Sequence, residues 1–484
     1  MFSAYYRFFG IDQLNEQAKK FVFKSLNIIL LFIFVIMLTN TFFILYALEY
    51  VSPAELGIII AVRFLVQGLT DYPTGAIGDW IGQRWVLFFA ALFYCTGFIT
   101  LSQATTFPTL LFAFLILALA DGQQSGAFQA WMDNNYKIYA PEDNERRIYT
   151  EMFGKFMMAN QILMALAFII GGFLVTLYGR AEVFIIQGVL LGLMAFLFVY
   201  FIRDHHSIKR QKPNMKAYFS LLGEGITTSF NNRTLRLIIA GICISSAFMA
   251  IWGQLMLFPF YESYGKTDDM TGLLRSIIFI IGAIITGLMA IPAKKLRNPQ
   301  KWLGITTAIS GTGFLWGIYL IRVFNPPPET FNIISYVFVI VGFALIGILF
   351  SLSNVLMPRF YLEIIPDKNR NSVYSLMPTL IMFSSVIIIA FGGFILDILG
   401  FNNTLLVLGL FNLVGGLIAS RGILTHRSKA IPIGIAEILE SPAKKDLFEA
   451  AETLHLIDQI KQSDLQAAAP LAVPSSWQLG QQAR

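Results

Sequence analysis

The chain alternates long apolar runs with short polar turns. Twelve runs dominated by Leu, Ile, Phe and Val lie near residues 25–48, 54–77, 85–103, 108–131, 152–177, 182–202, 237–261, 271–292, 301–322, 332–357, 373–398 and 402–420. A helix needs about 20 such residues to cross a hydrocarbon slab of roughly 30 Å. The runs lack strand alternation, and backbone in lipid must satisfy its own hydrogen bonds, so the pattern predicts an all-α integral membrane protein with twelve transmembrane helices. Composition agrees. With 56% hydrophobic and 13% charged residues in 484, and a mean hydropathy of +0.66, there is more apolar side chain than a soluble domain covers.

Charge predicts the orientation. Thirty of the 35 basic residues lie in the N-terminal segment, in the turns that follow even-numbered runs, and in the tail; the opposite side holds Arg180, Lys266 and Arg322. Both termini are therefore expected in the cytoplasm, with the protein in the plasma membrane. This distribution accounts for the net charge of +6 without nucleic acid, for which no recognition module is visible. The N-terminal segment lacks a short apolar core followed by a small-residue cleavage site, so the first span is expected to remain. Cys95 and Cys243 fall within spans and read as packing residues.

The longest polar interruption, 203–236, divides the spans six and six. The expected organisation is a cytoplasmic segment over 1–24, six-helix bundles over 25–202 and 237–421, a central loop between them, and a tail over 422–484. In that tail, Ser441 and Pro442 start a helix with Leu447, Ala450, Leu454 and Ile457 on one side; the remainder reads as disordered. The halves echo each other. "WMDNNYKIYAP" at 131 matches "LMPRFYLEIIP" at 356, "GGFLVTLYG" at 171 matches "GGFILDILG" at 392, and "QRW" at 83 matches "QKW" at 300. Duplicated halves with a site between them suit alternating access.

The turn after the second run, "DYPTGAIGDWIGQR", surrounds three glycines with charges. Gly75 and Gly78 are expected to admit close helix approach, while Asp79 and Arg84 stand at the membrane surface. Residues Gly75 to Arg84 resemble the signature turn between the second and third helices of the major facilitator superfamily, with Gly75, Asp79, Gly82 and Arg84 in its glycine, acid, glycine and basic positions. "DYPTG" looks like the start of that segment in efflux-type members, and "SGAFQAWMD" at 125 resembles their fourth-helix segment. The resemblance covers roughly residues 20–421. It implies the two-bundle fold of a transporter and points to the drug/proton antiporter branch. Two positions depart from it: Trp80 stands where Arg is usual, and Ala167 and Phe168 precede Gly171 and Gly172 where antiporters carry Gly-Pro.

A charge inside lipid needs a cavity or a partner. Arg63, Gln67 and Asp71 recur at four-residue intervals along one helical face. Asp121 leads a semi-polar stripe with Gln124, Ser125 and Phe128, and the family resemblance places it facing the central pathway. Asp121 is the candidate proton or cation site, against the alternative of a structural carboxyl. Arg63 is either its counter-ion, a receptor for an anionic group, or a structural partner of Asp71. Asp71, Gly75, Asp79, Gly82 and Arg84 form the candidate conformational latch, and Arg275 is expected to snorkel to the surface. Asn40 in the first run, Ser245, Ser246, Trp252 and Gln254 in the seventh, and Ser351, Ser353 and Asn354 in the tenth complete a candidate pathway suited to an amphipathic or cationic ligand.

No phosphate-cradling loop, metal-ligand cluster or nucleophile elbow is present, and His205, His206, His426 and His455 lie outside the apolar runs. Enzymatic catalysis and ATP-driven pumping are therefore disfavoured, and no cofactor or metal is expected. The expected function is secondary export of a small molecule by a monomer, with protons as the coupling ion. The alternatives are an uptake symporter or facilitator and, from another class, a non-transporting receptor or scaffold.

Overall fold

Short local signals set where the helices start and stop. Glu55 N–H donates to the Ser52 hydroxyl and the Glu55 carboxylate accepts from Ser52 N–H at 2.9 Å, a capping box that starts the helix Pro53–Ile81. Gly179 and Gly400 have φ of 94° and 70°, a region L side chains rarely adopt, so one helix ends and the next begins without a loop. They are the last residues of the two repeated "GGF" stretches. That part of the repeat encodes a turn.

The computed structural model describes residues 2–124, 127–143, 146–203, 231–364 and 370–426, with 223, 226, 227 and 230; within its helices the side chains of 72–76, 79 and 370–378, among others, fall outside the description. Regular structure among the described residues is helical. Span 1 comprises Glu16–Met37 and Phe43–Leu48; spans 2 to 6 are Pro53–Ile81, Gln83–Ser102, Phe107–Tyr139, Arg147–Tyr178 and Arg180–Phe201. Spans 7 to 10 are Arg233–Gly265, Asp268–Lys295, Pro299–Phe324 and Ile333–Ile364. Spans 11 and 12 form one helical stretch, Arg370–Thr425, broken at Gly400. Among the described residues, eleven stretches are long and apolar enough to cross a membrane, and the break makes the last of them two crossings, giving the twelve expected. An even number places both ends of the bundle on one face, called here the termini face.

The N-terminal segment is more ordered than its mixed composition implies. A helix, Phe2–Phe9, precedes span 1, and span 1 itself starts at Glu16 with Asn15 as its cap. The Asn15 amide donates to Tyr139 O at 2.7 Å and to Glu142 at 3.0 Å, while Phe21 stacks on Tyr139 at 4.7 Å. Residues 2–24 thereby clamp the ends of spans 1, 4 and 5. The central loop over 204–222 and the tail over 427–484, with its expected helix, lie outside the described residues.

Spans 1–6 pack mainly on one another, as do spans 7–12, and two seams join the halves: span 2 against span 11, and span 5 against span 8. Both seams are made of glycine. Gly57 faces the Ile389 carbonyl and Gly393 faces Pro53; in the other seam Gly272 faces the Phe168 carbonyl and Gly172 faces Asp268. A Cβ on any of the four would strike backbone of the opposite half. Hydrogen bonds repeat the symmetry: Ala54 N–H donates to Asp397 at 3.1 Å, and Asp269 N–H donates to Thr176 at 3.0 Å.

The first span of each half is irregular at matching places. Span 1 breaks between Met37 and Phe43, where Gly171 abuts the Leu38 carbonyl. Span 7 widens into a π-turn over Trp252–Met256, where Gly392 abuts Ile251. Such irregularities in spanning helices need neighbours to satisfy freed backbone groups and tend to mark functional positions. At the break in span 1, Gln187 of span 6 supplies them, donating to Val35 O at 2.7 Å and Ile36 O at 2.8 Å.

Candidate transport site

Asp121 reaches its partner because the next residue has no side chain. Gly122 lies against Thr70, the Gln67 carbonyl and Asp71 N–H, so the backbones of spans 2 and 4 approach closely. Arg63 then donates to Asp121 Oδ2 from Nε at 3.0 Å and Nη2 at 2.7 Å, and Tyr94 of span 3 donates its hydroxyl to Oδ1 at 2.7 Å. Both charged side chains are 16% exposed, so the pair is enclosed but not sealed. The guanidinium also lies 5.2 Å from the Phe43 ring and 5.7 Å from Phe114, positions that favour a cation.

This cluster lines a cavity of about 160 Å³. Its walls are largely apolar, from Ile36, Phe43, Phe98 and Leu117, with Asn40 and Gln124 supplying amides. A carboxylate in such a place is costly unless compensated, which Arg63 and Tyr94 do together. Of the candidate residues, the structure brings together Asp121, Arg63, Gln124 and Asn40, with Arg63 ion-paired to Asp121. Tyr94 completes the site; within a run of aromatics nothing in the sequence marks it. Gln67 is half-buried on span 2, one turn beyond Arg63, and lies outside the cavity lining.

The candidates from the second half lie elsewhere. Trp252 is buried against Phe260 and Phe314 at 5.7 and 6.0 Å. Gln254 is half-buried on the π-turn, and Asn354 is exposed on span 10. The hydroxyls are occupied between helices: Ser351 with Thr286 at 3.0 Å, Ser353 with Thr307 at 3.2 Å, and Ser245 donating to Asn412 O at 3.3 Å. Each of these bonds joins two spans.

Arg275 also departs from expectation. Instead of snorkelling, it crosses the seam to span 1, donating to Asn40 Oδ1 at 2.6 Å and Thr41 Oγ1 at 2.8 Å. It sits two turns into span 8, so the helix face rather than the helix end decides where it points. The Phe168 and Phe258 rings flank it at 3.8 and 4.8 Å.

In the signature turn, Gly82 has φ 96°, which lets it alone separate the end of span 2 at Ile81 from the start of span 3 at Gln83. Gly78 makes room for the side-chain amide of Gln83, the first residue of span 3, and Arg84 stacks on Trp85 at 5.1 Å. The surroundings of Gly75, the side chain of Asp79, and Ser125 altogether lie outside the described residues; Asp71 is half-buried at the end of the Arg63 face.

The opposite face holds a latch that sequence reading missed. Arg180 at the start of span 6 bonds Glu49 at 2.7 Å within its own half, and Glu262 at 2.5 Å and Asp268 at 2.7 Å in the other. One cation thus ties four segments across the seam. No local pattern announces it, because the acids come from three separate parts of the chain.

Twelve crossings in two repeated halves, seamed by glycine and holding a charged cluster in an internal cavity, define a multi-pass membrane transport protein. The chain matches the Major Facilitator Superfamily over residues 26–363 and belongs to it. It is 23% identical over 341 residues to the uncharacterized MFS-type transporter YxaM of Bacillus subtilis (strain 168), covering 66% of this chain and 75% of that one. Among solved structures it resembles the nucleoside transporter NupG, with a TM-score of 0.64 at 14% identity over 85% of this chain and 100% of that one. It also resembles a bacterial homolog of the human lysosomal transporter Spinster in an inward-facing, unoccupied conformation, with a TM-score of 0.64 at 15% identity over 86% and 100% of the two chains. At these identities the structural likeness is one of fold.

Proposed function

We propose that the protein is a secondary transporter of the plasma membrane that exports a small amphipathic compound with a cationic group in exchange for protons. Asp121 is the exchange site. The observation that carries this reading is the Arg63–Asp121–Tyr94 cluster in an apolar-walled cavity. Three partners compete for one carboxylate: Arg63, a proton, and a cation entering from the cavity. Protonation removes the charge that Arg63 neutralises, and a bound cation replaces Arg63, so proton and substrate cannot both occupy the site. Mutual exclusion at one group is the minimum an exchanger requires. The apolar walls and the Phe43 ring favour a ligand with a hydrophobic body and a positive end.

The Arg180 cluster supports the cycle. It holds the face opposite the termini shut, and with the termini in the cytoplasm that face is the outer one. Rocking about the four seam glycines breaks the cluster and opens the site outward. On the termini face Asp71, Gly75, Asp79, Gly82 and Arg84 act as the counterpart latch.

Uptake by symport is the second reading, favoured by Ala167 and Phe168 standing where antiporters carry Gly-Pro. Flux into proteoliposomes under an imposed pH gradient, with a panel of amphipathic amines, tests both. Export by exchange requires amine to move against the proton, and symport requires the two to move together. A gradient that drives no amine removes both.

A further inference from the structure

We infer that the transported molecule carries an anionic group as well, and that Arg275 is its receptor. This rests on the reading of the span 1–4 cavity as the transport site and extends it across the seam. Inside a membrane protein a guanidinium is normally matched by a carboxylate, because an unmatched charge away from water is costly. Arg63 has Asp121, and Arg180 has three acids. Arg275 has none among its described partners, which are two neutral oxygens, on Asn40 and Thr41, and two rings. The acids nearest along span 8 are engaged elsewhere, Asp268 by Arg180 and Asp269 by Thr176.

The position is that of a ligand site. Asn40, which accepts from Arg275, also lines the cavity that holds Asp121. Both Asn40 and Thr41 sit in the break of span 1, and broken spanning helices in carriers are where ligands bind. An aromatic bridge joins the two centres: Arg63 lies over Phe43, Phe43 meets Phe258 at 6.1 Å, and Phe258 carries Arg275. Spans 1, 5 and 7 all touch the half-buried Arg275, which meets the cavity through Asn40. An amphoteric molecule with its amine at Asp121, its apolar body on the Phe43–Phe258 rings and its carboxylate or phosphate at Arg275 gives the Arg275 guanidinium the counter-charge that its described partners lack. It also ties span 8 of one half to spans 1 and 4 of the other, which a cation at Asp121 alone does not.

The test is thermal protection of the purified full chain in detergent by four probes on one phenylalkyl scaffold: the amine, the carboxylate, the phosphate monoester and the amino acid. The anion-bearing probes should protect the parent, the amino acid most strongly, and the carboxylate and phosphate arms identify which anion fits. Arg275→Gln should weaken their apparent affinity at least tenfold, and Arg275→Lys less. Asn40→Asp keeps the fold while placing an internal carboxylate on Arg275, and should weaken anion binding at least tenfold without lowering the melting temperature of the ligand-free protein. Protection by the amine alone, protection by none, or equal protection of parent and Asn40→Asp overturns the assignment. Asp121→Asn separates the two claims: it should abolish amine protection and leave carboxylate protection, whereas an amine indifferent to Asp121→Asn sinks the exchange site and not the anion receptor.

Discussion

The two halves share a skeleton and differ in chemistry. Both have an irregular first span abutted by a glycine, a glycine seam to the other half, and a positive-φ glycine joining their last two spans. Under the offsets that align the repeats, Arg63 and Asp121 correspond to Ile280 and Ile346, so the second half has apolar side chains where the first has its ion pair. Polar groups of the second half bond between helices, as Thr312 does to Gly409 O at 3.1 Å. The repeat gives two similar helical halves that meet at glycine-lined seams. The proposed exchange needs one carboxylate, and the ion-paired Asp121 lies in the first half, with Arg275 reaching over from the second.

The sharpest way to break this comparison is to exchange polar groups in each half. Asp121→Asn should reduce gradient-driven flux in proteoliposomes by at least about tenfold, because an amide cannot alternate between a proton and a cation. Thr307→Val and Ser351→Ala, which loosen one interhelical hydrogen bond each, should stay within about twofold, in line with the small net worth of such bonds in membranes. Comparable losses in both halves would end the division of labour. The hinges should behave in the opposite way. Gly172→Val and Gly393→Val overpack equivalent seams, and overpacking costs about 1–3 kcal/mol, so each should slow transport by about tenfold and to a similar degree. A large loss at one with none at the other would show that a single seam moves.

A smaller effect is expected at the latch. Its acids are 45%, 40% and 21% exposed, so each bridge contributes a fraction of a kcal/mol to about 1 kcal/mol. Arg180→Gln should raise the outward-open population by about fivefold, read as spin-label distances across that face. Unchanged distances would remove Arg180 from the gate.

The smallest effect concerns the N-terminal clamp. Burial pushes the Glu142 carboxyl up, but the Asn15 backbone N–H and side-chain amide outweigh it and hold the group below the ordinary glutamate range. A depressed carboxyl stabilises above its unfolded value and loses that contribution as pH falls through its folded value. Hydrogen-exchange protection over residues 2–24, relative to the intrinsic rate at each pH, should therefore hold at neutral pH and fall only below about pH 4. Loss of protection already at a higher pH would contradict the clamp.

How legible the molecule was follows from the same physics. Lipid admits few backbone solutions, so the apolar runs announced the spans, and the repeated "GGF" stretches announced the two halves. Arg63 and Asp121 stood out because a charge in an apolar run requires a partner. Tyr94 did not, since an aromatic among Phe93, Phe98 and their neighbours looks like packing until its hydroxyl is seen on Asp121. Ser245, Ser351 and Ser353 misled because a hydroxyl in a span serves a neighbouring helix as readily as a pathway. The Arg180 latch and the reach of Arg275 depend on which faces of distant helices meet, which local spacing does not encode.

The central claim is that Asp121 carries protons one way and substrate cations the other. A pH-sensitive dye trapped in proteoliposomes measures this directly when a transported amine is added without an imposed gradient. The parent should move protons against the amine and Asp121→Asn should move none. Equal proton movement by the two proteins, or amine transport by the parent with no proton movement, would contradict the account.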